Sequence, residues 1–148
     1  MLEEGLVASI RTYVECHSGL RVVPDDDTSA LALEAAGRFA IDRKLRWWWQ
    51  GLSAGGRLAY SGQGGLRLLD RMLQQHAGDL IMVITDDELP PWLAVSGRWE
   101  CLRALLEEHQ FFEFFLLDRR VDWLVFDTHE NALVFVGEPP NRDALRDG

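Results

Sequence analysis

Three apolar runs, "FFEFFLLD", "VDWLVFDT" and "ALVFVGE", follow one another in the last third of the chain, parted only by the short polar turns "RR" and "HEN". Short runs rich in Phe, Val and Leu and bounded by polar turns read as strands. Connections this short permit only antiparallel neighbours, because a parallel return needs a crossover of a dozen or more residues. The C-terminal third is therefore expected to be a three-stranded antiparallel meander, and the rest of the chain has to pack against it.

What precedes the meander is mostly helical. Leu2, Leu6, Ile10 and Tyr13/Val14 fall on one stripe over residues 2–15. "HSGLRVVPDDDTS" breaks that pattern, and Asp25, Asp26, Asp27, Thr28 and Ser29 read as a helix start, where carboxylates and hydroxyls satisfy free N–H groups. The helix they open runs to about Asp42, with Leu31, Ala35 and Phe39 on one face. "GLRLLDRMLQQHAG" is amphipathic through Leu66, Leu69, Leu73 and His76, with Gly78 as its stop. "DLIMVITD" is a buried strand and "WLAV" a short one. Ser96 is placed to cap a further helix carrying Leu102, Leu105, Leu106 and His109 inward, with Arg103 and Glu107 paired outside. The expected architecture is α+β. A single domain over residues 1–138 has a largely antiparallel sheet packed by about four helices, and residues 139–148 form a frayed tail.

"DRKLRWWWQGL", from Asp42 to Leu52, sets three of the six tryptophans side by side. Each indole hides about 150–250 Å² when buried, worth roughly 4–6 kcal/mol at about 25 cal/mol per Å². A strand divides them, sending Trp47 and Trp49 to one face with Leu45 and Trp48 to the other. "RLAYSG" then follows the turn "SAGG" as the partner strand of a hairpin. The run is mainly core, with at most one residue left over as an anchor.

The formal net charge is −9, from 24 acidic and 15 basic residues. Such a balance disfavours nucleic acid and anionic membranes, which need clustered Lys and Arg, and suits a basic protein partner. Cys16 and Cys101 form no CxxC or zinc spacing, so free thiols in a reduced, cytoplasmic setting are expected. The N-terminus starts acidic and has no long apolar run, unlike a secretory leader.

No phosphate-binding loop, nucleophile elbow, HExxH helix or EF-hand loop is present. "GQGG" lacks the glycine spacing of a dinucleotide site and reads as a turn. Glu113 interrupts four phenylalanines, and alternation groups it with Phe111, Phe115 and Leu117. If that face is core, the carboxylate has to be paired, hydrogen-bonded or neutral; otherwise it faces solvent or a structural Arg. Asp127, His129 and Glu130 fall together near the last turn and contain the elements of a general base or a metal ligand. His76 and His109 close apolar stripes and read as satisfied inward-facing histidines. In "TDDELPPW", Asp86, Asp87 and Glu88 form an acidic loop stiffened by Pro90 and Pro91 beside an exposed Trp92, a suitable protein-binding edge.

"RWWWQGL", "PWLAVSG", "FFEFFLLD" and "VDWLVFDTHENALVFVG" together resemble a group of small bacterial cytoplasmic domains over roughly residues 45–138. The pattern places a Trp-rich strand early (Trp47–Trp49), then an aromatic-Glu-aromatic strand (Phe112–Glu113–Phe114). A Trp-Leu strand (Trp123–Leu124) leads to Asp127 and His129, and a last strand ends at Gly137. Glu130 departs from it, standing where a second histidine is expected, which weakens a catalytic or metal reading of that turn. Domains of this kind are similar in style to immunity proteins of bacterial polymorphic-toxin systems, which are cytoplasmic, non-enzymatic and bind one toxin domain.

The resemblance implies a protein that occludes a cognate basic toxin domain, with no cofactor and no metal. The contact expected from the residues is Asp86, Asp87, Glu88 and Trp92, with Asp25, Asp26 and Asp27 as a second patch. The alternatives are a small hydrolase using a pocket of Glu113, Trp123, Asp127 and His129, and a self-associating structural module. The sequence leaves the oligomeric state open.

Overall fold

The computed structural model describes residues 2–39, 41, 56–61, 64–74, 76–85, 92–109, 112–128 and 131–140. In chain order they form α1 (Leu2–Glu15), β1 (Leu20–Val22), α2 (Asp25–Arg38), β2 (Gly56–Ala59), α3 (Gly64–Leu73), β3 (Leu80–Ile84), β4 (Leu93–Gly97), α4 (Trp99–Glu108), β5 (Phe114–Leu117), β6 (Trp123–Thr128) and β7 (Ala132–Gly137). The strands make one antiparallel sheet in the order β1-β4-β3-β5-β6-β7-β2. The α+β class and the C-terminal meander β5-β6-β7 are as the sequence leads one to expect. The Trp run at 47–49 lies outside the described residues. The strand that follows it, β2, pairs with β7 at the far edge of the meander.

Both faces of the sheet are covered, which is why β3 reads as the unbroken apolar run "LIMVI" with every residue buried. On the first face, Met82, Val95, Phe114, Leu116, Trp123 and Val125 pack in one cluster with Ile10 and Val14 of α1, Leu69 and Met72 of α3, and Leu102 and Leu105 of α4. On the second face, Ile81, Val83, Ala94, Phe115, Leu124 and Phe126 cluster with Ala35 and Ala36 of α2. The small side chains of α2 let its backbone lie close to the sheet. Arg103 of α4 pairs with Glu107 one turn on, as its spacing requires.

The last turn of α2 fastens the β5–β6 connection. Arg38 donates to the carbonyls of Arg120 (3.0 Å) and Val121 (3.1 Å) and lies 3.5 Å from the Asp122 carboxylate. Val121 is fully buried with φ of +56°, a left-handed conformation that costs a β-branched residue about 1–3 kcal/mol. Its side chain is committed to the core, so the backbone has to bend for it. Gly137 sits at φ of +85°, and a Cβ there would lie 2.3 Å from the carbonyl oxygen of Asp122.

Three local expectations are corrected. The segment "HSGLRVV" contains β1, which completes the sheet by pairing with β4. Ser96 does not cap α4; it is buried within β4, and Arg98 stands at the cap without a side-chain capping bond. Helix α3 ends at Leu73, so His76 lies beyond it, and its Nδ1 is buried without a hydrogen-bond partner among the described residues.

Candidate functional site

Strand alternation decides where each candidate carboxylate goes. In β6, Trp123 and Val125 face the first cluster while Leu124 and Phe126 face the second. Asp127 therefore points with Trp123 toward the helices α1, α3 and α4, opposite Phe114 in the ladder. There it meets Tyr60, which follows β2 and whose hydroxyl donates a hydrogen bond to Asp127 Oδ1. The ring of Tyr60 lies over the start of α3, so closely that a Cβ on Gly65 would come within 2.7 Å of its Cζ.

This carboxyl is electrostatically costly. Burial pushes it up, the Tyr60 hydrogen bond pulls it back, and the charge of Glu113 adds a further rise, leaving it at about 6. Tyr60 is held strongly protonated, first by its own burial and then by the charge and hydrogen bond of Asp127. A carboxyl raised this far above the usual carboxylate range is a feature common at functional sites.

Glu113 is 6% exposed, so the solvent-facing reading of this residue is overturned. Its carbonyl accepts from the backbone N–H (3.0 Å) and the hydroxyl (3.3 Å) of Thr85, extending the β3–β5 ladder by one residue. Alternation sets it on the second face with Phe115 and Leu117, in the row that holds buried Thr85 and Thr128. Glu113 and Asp127 are thus electrostatic neighbours at one end of the sheet, but the pleat directs them to opposite faces. Trp123 is 2% exposed and belongs to the first-face core. His129 and Glu130 lie outside the described residues.

The acidic candidates divide in the same way. Asp86, Asp87 and Glu88 lie outside the described residues. Trp92, expected to be an exposed anchor beside them, is 4% exposed and stands edge-on to Phe115, ring centroids 5.9 Å apart. The strand that it leads into is buried on both faces, so an indole at its start is drawn into the core. Asp25, Asp26 and Asp27 are exposed in the first turn of α2, where the partial positive charge of the helix end favours them. Among the described residues none of the three has an ion pair.

The chain reaches α2 through Val23, whose N–H donates to the carbonyl of Ala94 (2.9 Å) near the start of β4. Thr85 and Trp92, which flank residues 86–91, stand at this same end of the sheet. The start of α2 and the two residues that flank 86–91 therefore stand at one end of the sheet. That relation depends on β1, which the sequence reading missed.

Of the histidines, His109 is satisfied as expected, with Nδ1 3.2 Å from the Leu105 carbonyl and Nε2 2.9 Å from Ser9 Oγ. His76, as noted, is not. Among the described residues no group of three potential metal-ligating side chains converges, and no helix is long and apolar enough to cross a membrane. Compared with known proteins, the chain matches no family model, no curated protein and no solved structure.

Proposed function

We propose that this chain is an immunity-type binding protein that neutralises a basic, cytoplasm-acting toxin domain by covering it. The observation that carries the reading is the exposed aspartate trio 25–27, set at the end of the sheet where Thr85 and Trp92 also stand. Among the described residues Asp25, Asp26 and Asp27 have no ion pair to offset them. Together with a net charge of −9, they give this end a field that draws in a basic partner and orients it on approach. Occlusion needs a complementary surface of about 1,200–2,000 Å² and no reacting group.

The test is neutralisation in cells. The product of the adjacent reading frame is expressed in a bacterial host with and without this protein. Growth arrest relieved by co-expression supports the reading. Arrest that persists while this protein accumulates in folded form, or a neighbour that causes no arrest, overturns it.

A further inference from the structure

Ser9 and His109 meet across the groove between α1 and α4, which is lined by Ala8, Ser9, Thr12, Tyr13, Glu108 and His109. His109 follows the last residue of α4, and its Nδ1 is 3.2 Å from the carbonyl of Leu105, one turn back. A carbonyl can only accept, so Nδ1 carries a proton, and in the neutral imidazole Nε2 is the nitrogen that keeps its lone pair. Ser9 Oγ, 2.9 Å from Nε2, is then the donor. Tyr13 packs edge-on against the imidazole, with ring centroids 5.4 Å apart. Tyr13 is itself stacked on His17 at 3.8 Å, and His17 is anchored through Nδ1 to the Tyr13 carbonyl at 2.6 Å. The base is fixed in tautomer and orientation while the hydroxyl remains exposed.

A hydroxyl aimed at Nε2 of an oriented imidazole, and itself reached from solvent, is the arrangement of an activated nucleophile. We propose that Ser9 is an acyl-acceptor site, taking an acyl group from a small activated donor such as an aryl ester or acyl phosphate, with His109 as its base. In the step, Ser9 Oγ bonds to the acyl carbon while the bond from that carbon to the leaving oxygen breaks. The serine proton passes to His109 Nε2 and from there to the departing oxygen.

The position of Ser9 limits the donor. It lies in the interior of α1, where backbone N–H groups are spent on the helix, and the Thr12 hydroxyl is committed to the Ala8 carbonyl (3.0 Å). Among the described residues the groove therefore offers no free backbone donor to a developing oxyanion. Losing even one such donor costs enzymes about 10²–10³ in rate. Only donors with good leaving groups can react, and the product is one stably acylated serine, not rapid turnover. The site lies on α1 and α4 and does not depend on the binding reading.

The experiment treats the full chain with p-nitrophenyl acetate and, separately, acetyl phosphate, and maps the acetyl group by peptide mass spectrometry. Ser9 is expected to be labelled far ahead of the exposed serines Ser18, Ser29 and Ser61 in the same sample. His109→Ala is expected to slow labelling by about 10²-fold, the range of general-base assistance, and added imidazole to restore part of it. That rescue would not occur if His109 served only to join the helices. Labelling of Ser9 no faster than of the other serines, or an unchanged rate in a folded His109→Ala variant, overturns the proposal.

Discussion

The Tyr60 hydroxyl donates to the Asp127 carboxylate across the edge of the sheet, joining the residue after β2 to the penultimate residue of β6. The pair is half-buried on the face that carries α1, α3 and α4, and desolvation there holds Asp127 at about 6. A folded-state value above the unfolded one of about 3.9 means that the fold favours the protonated carboxyl. The contribution is present in full below the unfolded value and is lost as pH rises through about 6. The shift corresponds to about 3 kcal/mol. Asp127→Asn keeps an acceptor for Tyr60 and removes the charge. It is expected to stabilise the protein at pH 8, and the gain should shrink toward zero at pH 4. Urea unfolding of both proteins across that range checks it; a difference that does not vary with pH refutes the assignment.

The glycines of the helices should respond oppositely to alanine. At Gly37 of α2 an added Cβ meets nothing within 4 Å, so Gly37→Ala is expected to raise stability by about 0.4–1 kcal/mol. At Gly65 of α3 the Cβ would strike the Tyr60 ring at 2.7 Å. That ring is held by Asp127 and cannot retreat freely, so Gly65→Ala should cost about 1–3 kcal/mol. Thermal melts of the two variants decide the matter, and a stabilised Gly65→Ala protein would show that Tyr60 is not fixed.

Asp70 ties α3 to α4. It accepts from the indole N–H of Trp99 at 2.9 Å and from Arg103 Nε at 2.7 and 2.8 Å. Trp99 is 5% exposed, so Asp70→Ala leaves its N–H without a partner and should cost about 1–3 kcal/mol. The same substitution in a Trp99→Phe background should cost less, as denaturant unfolding of the four proteins would reveal. An equal cost in both backgrounds would remove the indole from the account.

The acidic end should govern the rate of encounter with the partner. Replacing Asp25, Asp26 and Asp27 together with lysine is expected to slow association by about 10-fold or more, and added salt should slow the wild type toward the variant. The same holds for reversal at 86–88. Stopped-flow mixing with the toxin domain measures this; equal on-rates at low salt would move the contact elsewhere.

Local pattern made much of this fold legible. The stripes of α1, α3 and α4 and the runs of β3 to β7 are set by residues near one another in sequence. What escaped depends on distant pairing. Strand β1 is three residues set between turn formers, and it exists because β4 has a free edge for it. Trp92 was read from its acidic, proline-rich neighbours, but the buried strand that it leads into decided its exposure. Asp127 shows a signal that could have been read: it shares the period of Trp123 and Val125 and so faces the core. Its partner Tyr60 could not have been read, because it arrives through the pairing of β2 with β7.

Titration of the purified toxin domain with this protein, following toxin activity and the mass of the mixture by light scattering, tests the central claim most directly. The account predicts activity falling linearly to zero at a fixed stoichiometry, with a complex of matching mass and a toxin that regains activity when the complex is dissociated. A toxin that stays active in the presence of excess protein, or one that is destroyed at substoichiometric amounts, would contradict neutralisation by coverage.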